Sequence, residues 1–203
     1  RNHQAATAWQ RRAVDQVRTI GSRDGPRRRR QAETLLAGNM ADAEGPQSAE
    51  LLAQAAASYY RSGQVERALA AYDRAAARAR EMQQPEQAFE AGFAAATIEK
   101  ERRRFRDALA RYRELAAQPN EPKAAEAHLL AIYCAAQVAQ AQQPPQLDEY
   151  EQLLSEHLAR WPQGPTASQA RVWLARLATH DGKPQAAVET LQPIGPGDAQ
   201  LAA

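Results

Sequence analysis

SAELLAQAAASYYRSGQVERALAAYDRAAARAREM, residues 48–82, is the stretch whose reading decides the fold. Small or apolar residues fall at Leu52, Ala55, Ala56 and Tyr59, and again at Ala68, Leu69, Tyr72 and Ala75. Each set is a helix-spaced stripe, and Ser62 and Gly63 separate the two with a turn. Glycine suits that place because it enters the left-handed conformation at a helix end without a Cβ penalty. The segment therefore reads as two antiparallel helices, each apolar along one side.

The pattern returns in EQAFEAGFAAATIEKERRRFRDALARYRELAAQP, residues 86–119, where Ala95, Ala96, Phe105, Ala108, Leu109, Tyr112 and Leu115 rebuild both stripes. Ala68 to Ala108 and Tyr72 to Tyr112 are each forty residues apart. A third, divergent copy runs from AEAHLLAIYCAAQVAQ through DEYEQLLSEHLARWP. Its connection is longer, and Pro144 and Pro145 place the end of its first helix near Gln142 or Gln143, because proline lacks a donor and restricts the residue before it. In the fourth copy, TASQARVWLARLATHDGKPQAAVETLQPI, Leu174, Ala175 and Ala178 form one stripe, Gly182 the turn, and Ala187 with Leu191 the second stripe. Internal periods of this length mean a stacked array of repeats.

Composition agrees. The 203 residues draw their apolar content mainly from Ala and Leu, and Ala, Gln, Arg, Glu and Leu favour helix over strand. No apolar run approaches the roughly 18 to 20 residues that cross a bilayer, and the start lacks a short apolar stretch with a small-residue cleavage site. No membrane span is expected in this chain. It begins at Arg1 and not Met, which leaves a cytoplasmic chain, the mature part of an exported one and a fragment of a larger protein all open. The single cysteine, Cys134, lies in a helical apolar stretch and reads as core. Charge is uneven: residues 1–40 carry nine Arg against three acids, while the remainder is net acidic. The run Arg27–Arg30 could meet phosphate or an acidic neighbour, but no aromatic is interleaved for base stacking, and no nucleic-acid partner is expected.

With these residues in place, the chain resembles the tetratricopeptide-repeat (TPR) family over about residues 48–196. The resemblance rests on a combination: a small residue in the first helix (Ala56, Ala96, Ala175), a turn glycine (Gly63, Gly182), an early Ala in the second helix (Ala68, Ala108, Ala187) and an aromatic four positions on (Tyr72, Tyr112). It implies an all-α, right-handed α-solenoid of about ten helices in stacked antiparallel pairs. The pattern also departs from the family. Leu52 and Gly92 stand where the first helix usually has an aromatic, Arg103 where the second turn usually has glycine, and Tyr150 where the third copy should have Ala. The intervals of forty, forty-two and thirty-seven residues overlap those of longer helical repeats, so a related α-solenoid of the HEAT or armadillo kind is the alternative fold. The phrase RWPQGPTASQARVWLARLATHDGKPQAAVETLQ is further similar to repeats of bacterial cell-envelope proteins, which adds the periplasm or envelope to the cytoplasm as a compartment.

Residues 1–46 form a separate N-terminal helical pair, a cap or a degenerate repeat, with Trp9, Ala13, Val17 and Ile20 along one side of its first helix. Residues 47–203 form the solenoid. Catalytic parts are missing: there is no phosphate loop, nucleophile elbow or paired-histidine motif, and His3, His128, His157 and His180 lack metal-ligand spacing. Neither an enzyme nor a cofactor is expected. Glu99 and Glu101 around Lys100, before Arg102–Arg104, read as a solvated helix end, and Trp161 and Trp173 as packing between the last two hairpins.

The resemblance implies that first helices line a groove. Projecting that rule gives Glu50, Tyr60, Arg61, Glu90, Phe93, Thr97, Lys100, Glu101, His128, Gln169, Arg176 and His180 as residues meeting a protein or peptide partner. Ala53 and Ala57 stand where relatives that clamp acidic chaperone tails hold polar or basic side chains, so that ligand is not expected. The alternative to a groove is a structural module that docks by its edges to further repeats or to another chain, including a copy of itself.

Overall fold

The computed structural model describes residues 48–194, together with Arg12, Thr19 and Arg28. The expected N-terminal pair over 1–46 lies outside the described residues, and of the run Arg27–Arg30 only Arg28 is described, exposed. Eight α-helices and no strand occur among the described residues. They are α1 (Ala49–Arg61), α2 (Val65–Glu81), α3 (Pro85–Glu101), α4 (Phe105–Ala116), α5 (Ala124–Gln140), α6 (Asp148–Arg160), α7 (Pro165–His180) and α8 (Pro184–Leu191). With the N-terminal pair outside the description, the expected ten helices become these eight.

Local chemistry accounts for the ends. Ser48 caps α1 by accepting from the Leu51 amide at 3.3 Å. An acid occupies the first turn of each of α1 to α6, from Glu50 to Asp148, and Arg61, Arg78, Lys100 and Arg113 close the first four, each charge complementing the helix dipole. α3, α7 and α8 open on proline, whose missing N–H costs nothing at that position.

The turns show a regularity that residue types alone conceal. Gly63, Gln83, Arg103 and Gly182 all take positive φ, at 81°, 56°, 60° and 72°. At each, that residue's amide donates three residues back and the next amide donates five back: Gly63 to Tyr60 and Gln64 to Tyr59, Gln83 to Arg80 and Gln84 to Ala79, Arg103 to Lys100 and Arg104 to Glu99, Gly182 to Thr179 and Lys183 to Ala178. This is the paired-bond Schellman ending. The turn between hairpins at Gln83 is thus built like the turns inside them, so left-handed residues recur every twenty positions through Arg103. The forty-residue period is two such steps. The steps stop at Pro119–Lys123 and at Gln142–Leu147, where proline forces longer connections; α5 ends at Gln140, two residues before the expected stop.

Two compact units divide the chain, one through Ile98 and one from Glu99 onward. In the first, α1, α2 and α3 meet in three successive layers. Ala49, Ala79 and Ala88 form one; Leu52, Ala75, Ala76 and Ala91 the next; Ala55, Ala56, Tyr59, Ala68, Leu69, Ala71, Ala95 and Ile98 the third. Reading each layer across the helices shows α2 running against its neighbours. Alanine at the contacts lets the backbones approach while Leu52, Tyr59, Leu69 and Ile98 fill the grooves between them.

In the second unit α4 packs on α5, α5 on α6, α6 on α7 and α7 on α8, and α5 also reaches α7, two elements on. That last contact is the stacking of one hairpin on the next. Tyr112, Ile132, Cys134, Leu153 and Leu154 fill its core. Cys134 is buried as expected, and burial pushes its thiol up to about 11, the Lys100 ammonium opposing weakly. Glu99 corrects the reading of a solvated helix end: it is 5% exposed and receives Arg111 Nε at 2.9 Å. Its partner comes from the next helix, beyond the turn at Arg103, so the pairing was invisible in the linear pattern.

Candidate partner-binding site

The expected groove residues separate into several environments. Glu50, Arg61, Glu90, Glu101, Arg176 and His180 are exposed; Tyr60, Phe93, Thr97, Lys100 and Gln169 are half-buried; His128 is buried. Two of the twelve meet at a concavity. In the first unit Glu50 and Glu90 line a recess of about 480 Å³ whose other walls are Ala49, Ala53, Gln54, Tyr72, Gln87, Ala91 and Ala94. The alanines open it: with one-carbon side chains on the facing surfaces of α1 and α3, the ring of Tyr72 from α2 is partly exposed between them. Gln54 donates to Glu50 at 3.1 Å one helical turn away, which fixes the carboxylate. Burial raises the Tyr72 phenol above its ordinary value, with the Arg61 charge pulling the other way, so the hydroxyl is a neutral donor and acceptor throughout the physiological range. The recess thus combines an apolar floor, two carboxylates, two amides and a phenol.

Tyr60 packs against the α1–α2–α3 core, and Phe93 stacks on Phe89 with centroids 5.8 Å apart. The Thr97 hydroxyl donates to the Phe93 carbonyl at 2.9 Å, so it is committed to its own helix. In the second unit Gln169, Arg176 and His180 share α7. His180 lies 3.4 Å from Asp181, and Arg176 lies beside Tyr150, whose phenol burial pushes up to about 12 against the pull of that guanidinium.

His128 differs from expectation. It is 7% exposed and turns into the second unit, its Nδ1 3.3 Å from Nδ1 of His157, with Trp161 against both rings at 5.3 and 5.2 Å. His128 thus faces α6, a contact between helices that the residue spacing within α5 does not encode. Trp161 accordingly packs on this histidine pair from the end of α6. Among the described residues no group of three or more His, Cys, Asp or Glu side chains is placed to hold a metal ion.

Sequence reasoning missed Gln54, Gln87 and Tyr72 as recess residues. The spacing was there to read, since Gln54 lies four residues after Glu50 and Gln87 three before Glu90, on the same helix faces. Tyr72 was assigned wholly to the core.

No protein-family model matches the chain, and no curated protein matches it in sequence. Solved structures do. It is similar to a MamA RS-1 double mutant at 15% identity and a TM-score of 0.55, over 89% of each chain. It is also similar to a Podosopora anserina structure described as putative kinesin light chain, nearly identical TPR-like repeats, at 14% identity and a TM-score of 0.56, over 90% of this chain and 91% of that one. A second structure of those repeats, a point variant, matches with the same figures. The fold is therefore an α-solenoid of the TPR type.

Proposed function

We propose that this chain is a non-catalytic scaffold that binds a protein or peptide partner, and that the recess between α1, α2 and α3 receives a basic side chain of that partner. Helical repeats of this type generally serve protein interaction. The observation that carries the finer reading is the recess itself: Glu50 and Glu90 at a cavity floored by alanine and Tyr72. A lysine or arginine combines an apolar stem with a charged head, and the stem matches the floor as the head matches the carboxylates. Tyr60 and Phe93, half-buried on α1 and α3 of the same unit, are the aromatic anchors, and Arg61 fixes a polar group of the partner.

Peptide display on the intact chain tests this. Selected binders are expected to carry Lys or Arg, to lose about tenfold or more in affinity to the double variant Glu50→Lys/Glu90→Lys, and to lose a similar amount when Ala94→Arg fills the cavity. Tyr60→Ala with Phe93→Ala should weaken the same binders while helicity is kept. Binders that hold equally well to all of these folded variants would reject the assignment.

A further inference from the structure

His128 of α5 and His157 of α6 meet where α5, α6 and α7 pack together. Their Nδ1 atoms are 3.3 Å apart and the rings are tilted by 36° with centroids at 5.3 Å. Such a contact requires one Nδ1–H to donate to the lone pair of the other. Two neutral rings of opposite tautomer satisfy it; two imidazolium rings cannot, because both nitrogens would then present protons to each other. The surroundings favour the neutral pair. His157 is wholly buried, and its Nε2 has no hydrogen-bond partner among the described residues, although the Thr166 backbone lies beside the ring. The other faces are the Trp161 indole and the alanine-rich helices.

We propose that the His128–His157 pair is an acid-sensitive latch on the α5–α6–α7 seam, closed while the rings share one hydrogen bond and opened as they take up protons. The charged groups that bear on it have opposing effects. Glu156 Oε2 lies 3.9 Å from His128 Nε2 and favours a first proton there, whereas Arg160 on α6 and Arg113 on α4 oppose it. His157 meets the His128 charge itself as the opposing group. Burial is the larger influence on both, lowering His128 and taking His157 down to about 4. The first proton is therefore partly compensated by Glu156, and the second brings into a closed seam a cation that burial and the His128 charge oppose and only the Thr166 backbone favours.

The direction follows from linkage. Unfolded histidine binds its proton near about pH 6.5, so below that value the opened form holds protons the closed form lacks. Stability contributed by the neutral pair is complete above about pH 6.5 and is lost as pH falls toward about 4. The helices the pair joins are α5 and α6, so acid loosens that junction; the latch does not depend on the partner-binding role proposed for the first unit.

Histidine ring titration by NMR on the full chain decides the matter, with the ordinary histidine value of about 6.5 as the reference. His157 is expected to stay neutral well below that pH. Amide protection in α5 and α6 should fall as pH drops, the open-to-closed ratio rising by up to about tenfold per pH unit for each proton taken up. In His157→Gln, which cannot charge, that dependence should flatten, and His128→Gln should do the same. A His157 that titrates at the ordinary histidine value of about 6.5 overturns the proposal, as does an unchanged pH slope in either folded glutamine variant. Should both variants fail to fold, the wild-type titration decides alone.

Discussion

At Arg103 a large cationic residue holds the left-handed place that Gly63 and Gly182 hold elsewhere. The two glycines have open space around them: a Cβ at either would meet nothing within 4 Å. The penalty for a side chain at these turns is therefore one of backbone conformation and not of crowding, about 1–2 kcal/mol for an L-residue. Two substitutions of opposite sign follow. Gly63→Ala should lower stability by about 1 kcal/mol, and Arg103→Gly should raise it by about 0.5–1 kcal/mol after glycine's greater unfolded-state freedom is subtracted. Urea midpoints of the two variants against the parent check both, and a destabilised Arg103→Gly would show that the arginine side chain holds contacts worth more than the strain. Glycine advertises a left-handed turn by its identity. Gln83 and Arg103 adopt the same geometry with no such mark, so the turn at Gln83 was not legible in the sequence and the one at Arg103 looked like a departure.

Between helices the governing quantity is the size of the residue at each contact. Ala56 and Ala95 are wholly buried in one layer of the first unit, and neither has room for further methylenes. Replacing either by Leu should cost about 1–3 kcal/mol through overpacking. The same change at Ala94, half-buried on the recess wall, should cost less than about 0.5 kcal/mol, and thermal melts of the three variants would separate a contact seam from a free wall. The stripes through Leu52, Ala55, Ala56 and Tyr59 and through Ala68 and Leu69 were legible because each needs only the helical period within one element. The Glu99–Arg111 ion pair and the His128–His157 contact were not. Each joins residues on different helices, and the partner depends on connection lengths, which for the third hairpin depart from the repeat. The recess falls between: its acids were on the projected groove list, while its depth comes from alanines whose effect is what they leave unfilled.

For the whole molecule, stability in a repeat array is a sum over neighbouring elements, with each hairpin depending on the next for part of its core. The acid-sensitive pair sits wholly in the unit from Glu99 onward, whereas the first unit's three layers contain no histidine. At about pH 4.5, amides of α1 and α2 are expected to keep their protection while those of α5 and α6 exchange, measurable by hydrogen exchange resolved by peptide. Loss in both units together would tie them into a single cooperative transition. A scaffold that uses its recess and not its edges should also sediment as a monomer across a wide concentration range, and a mass that climbs with concentration would instead favour the edge-docking module.

The evenly placed endings at Gly63, Gln83 and Arg103 carry a last implication. Excising residues 64–103 would splice one left-handed stop directly onto the residue that follows another, with Phe105 arriving where Val65 had been. A polypeptide measured by such a ruler can be shortened or lengthened by whole modules without retuning the joints on either side.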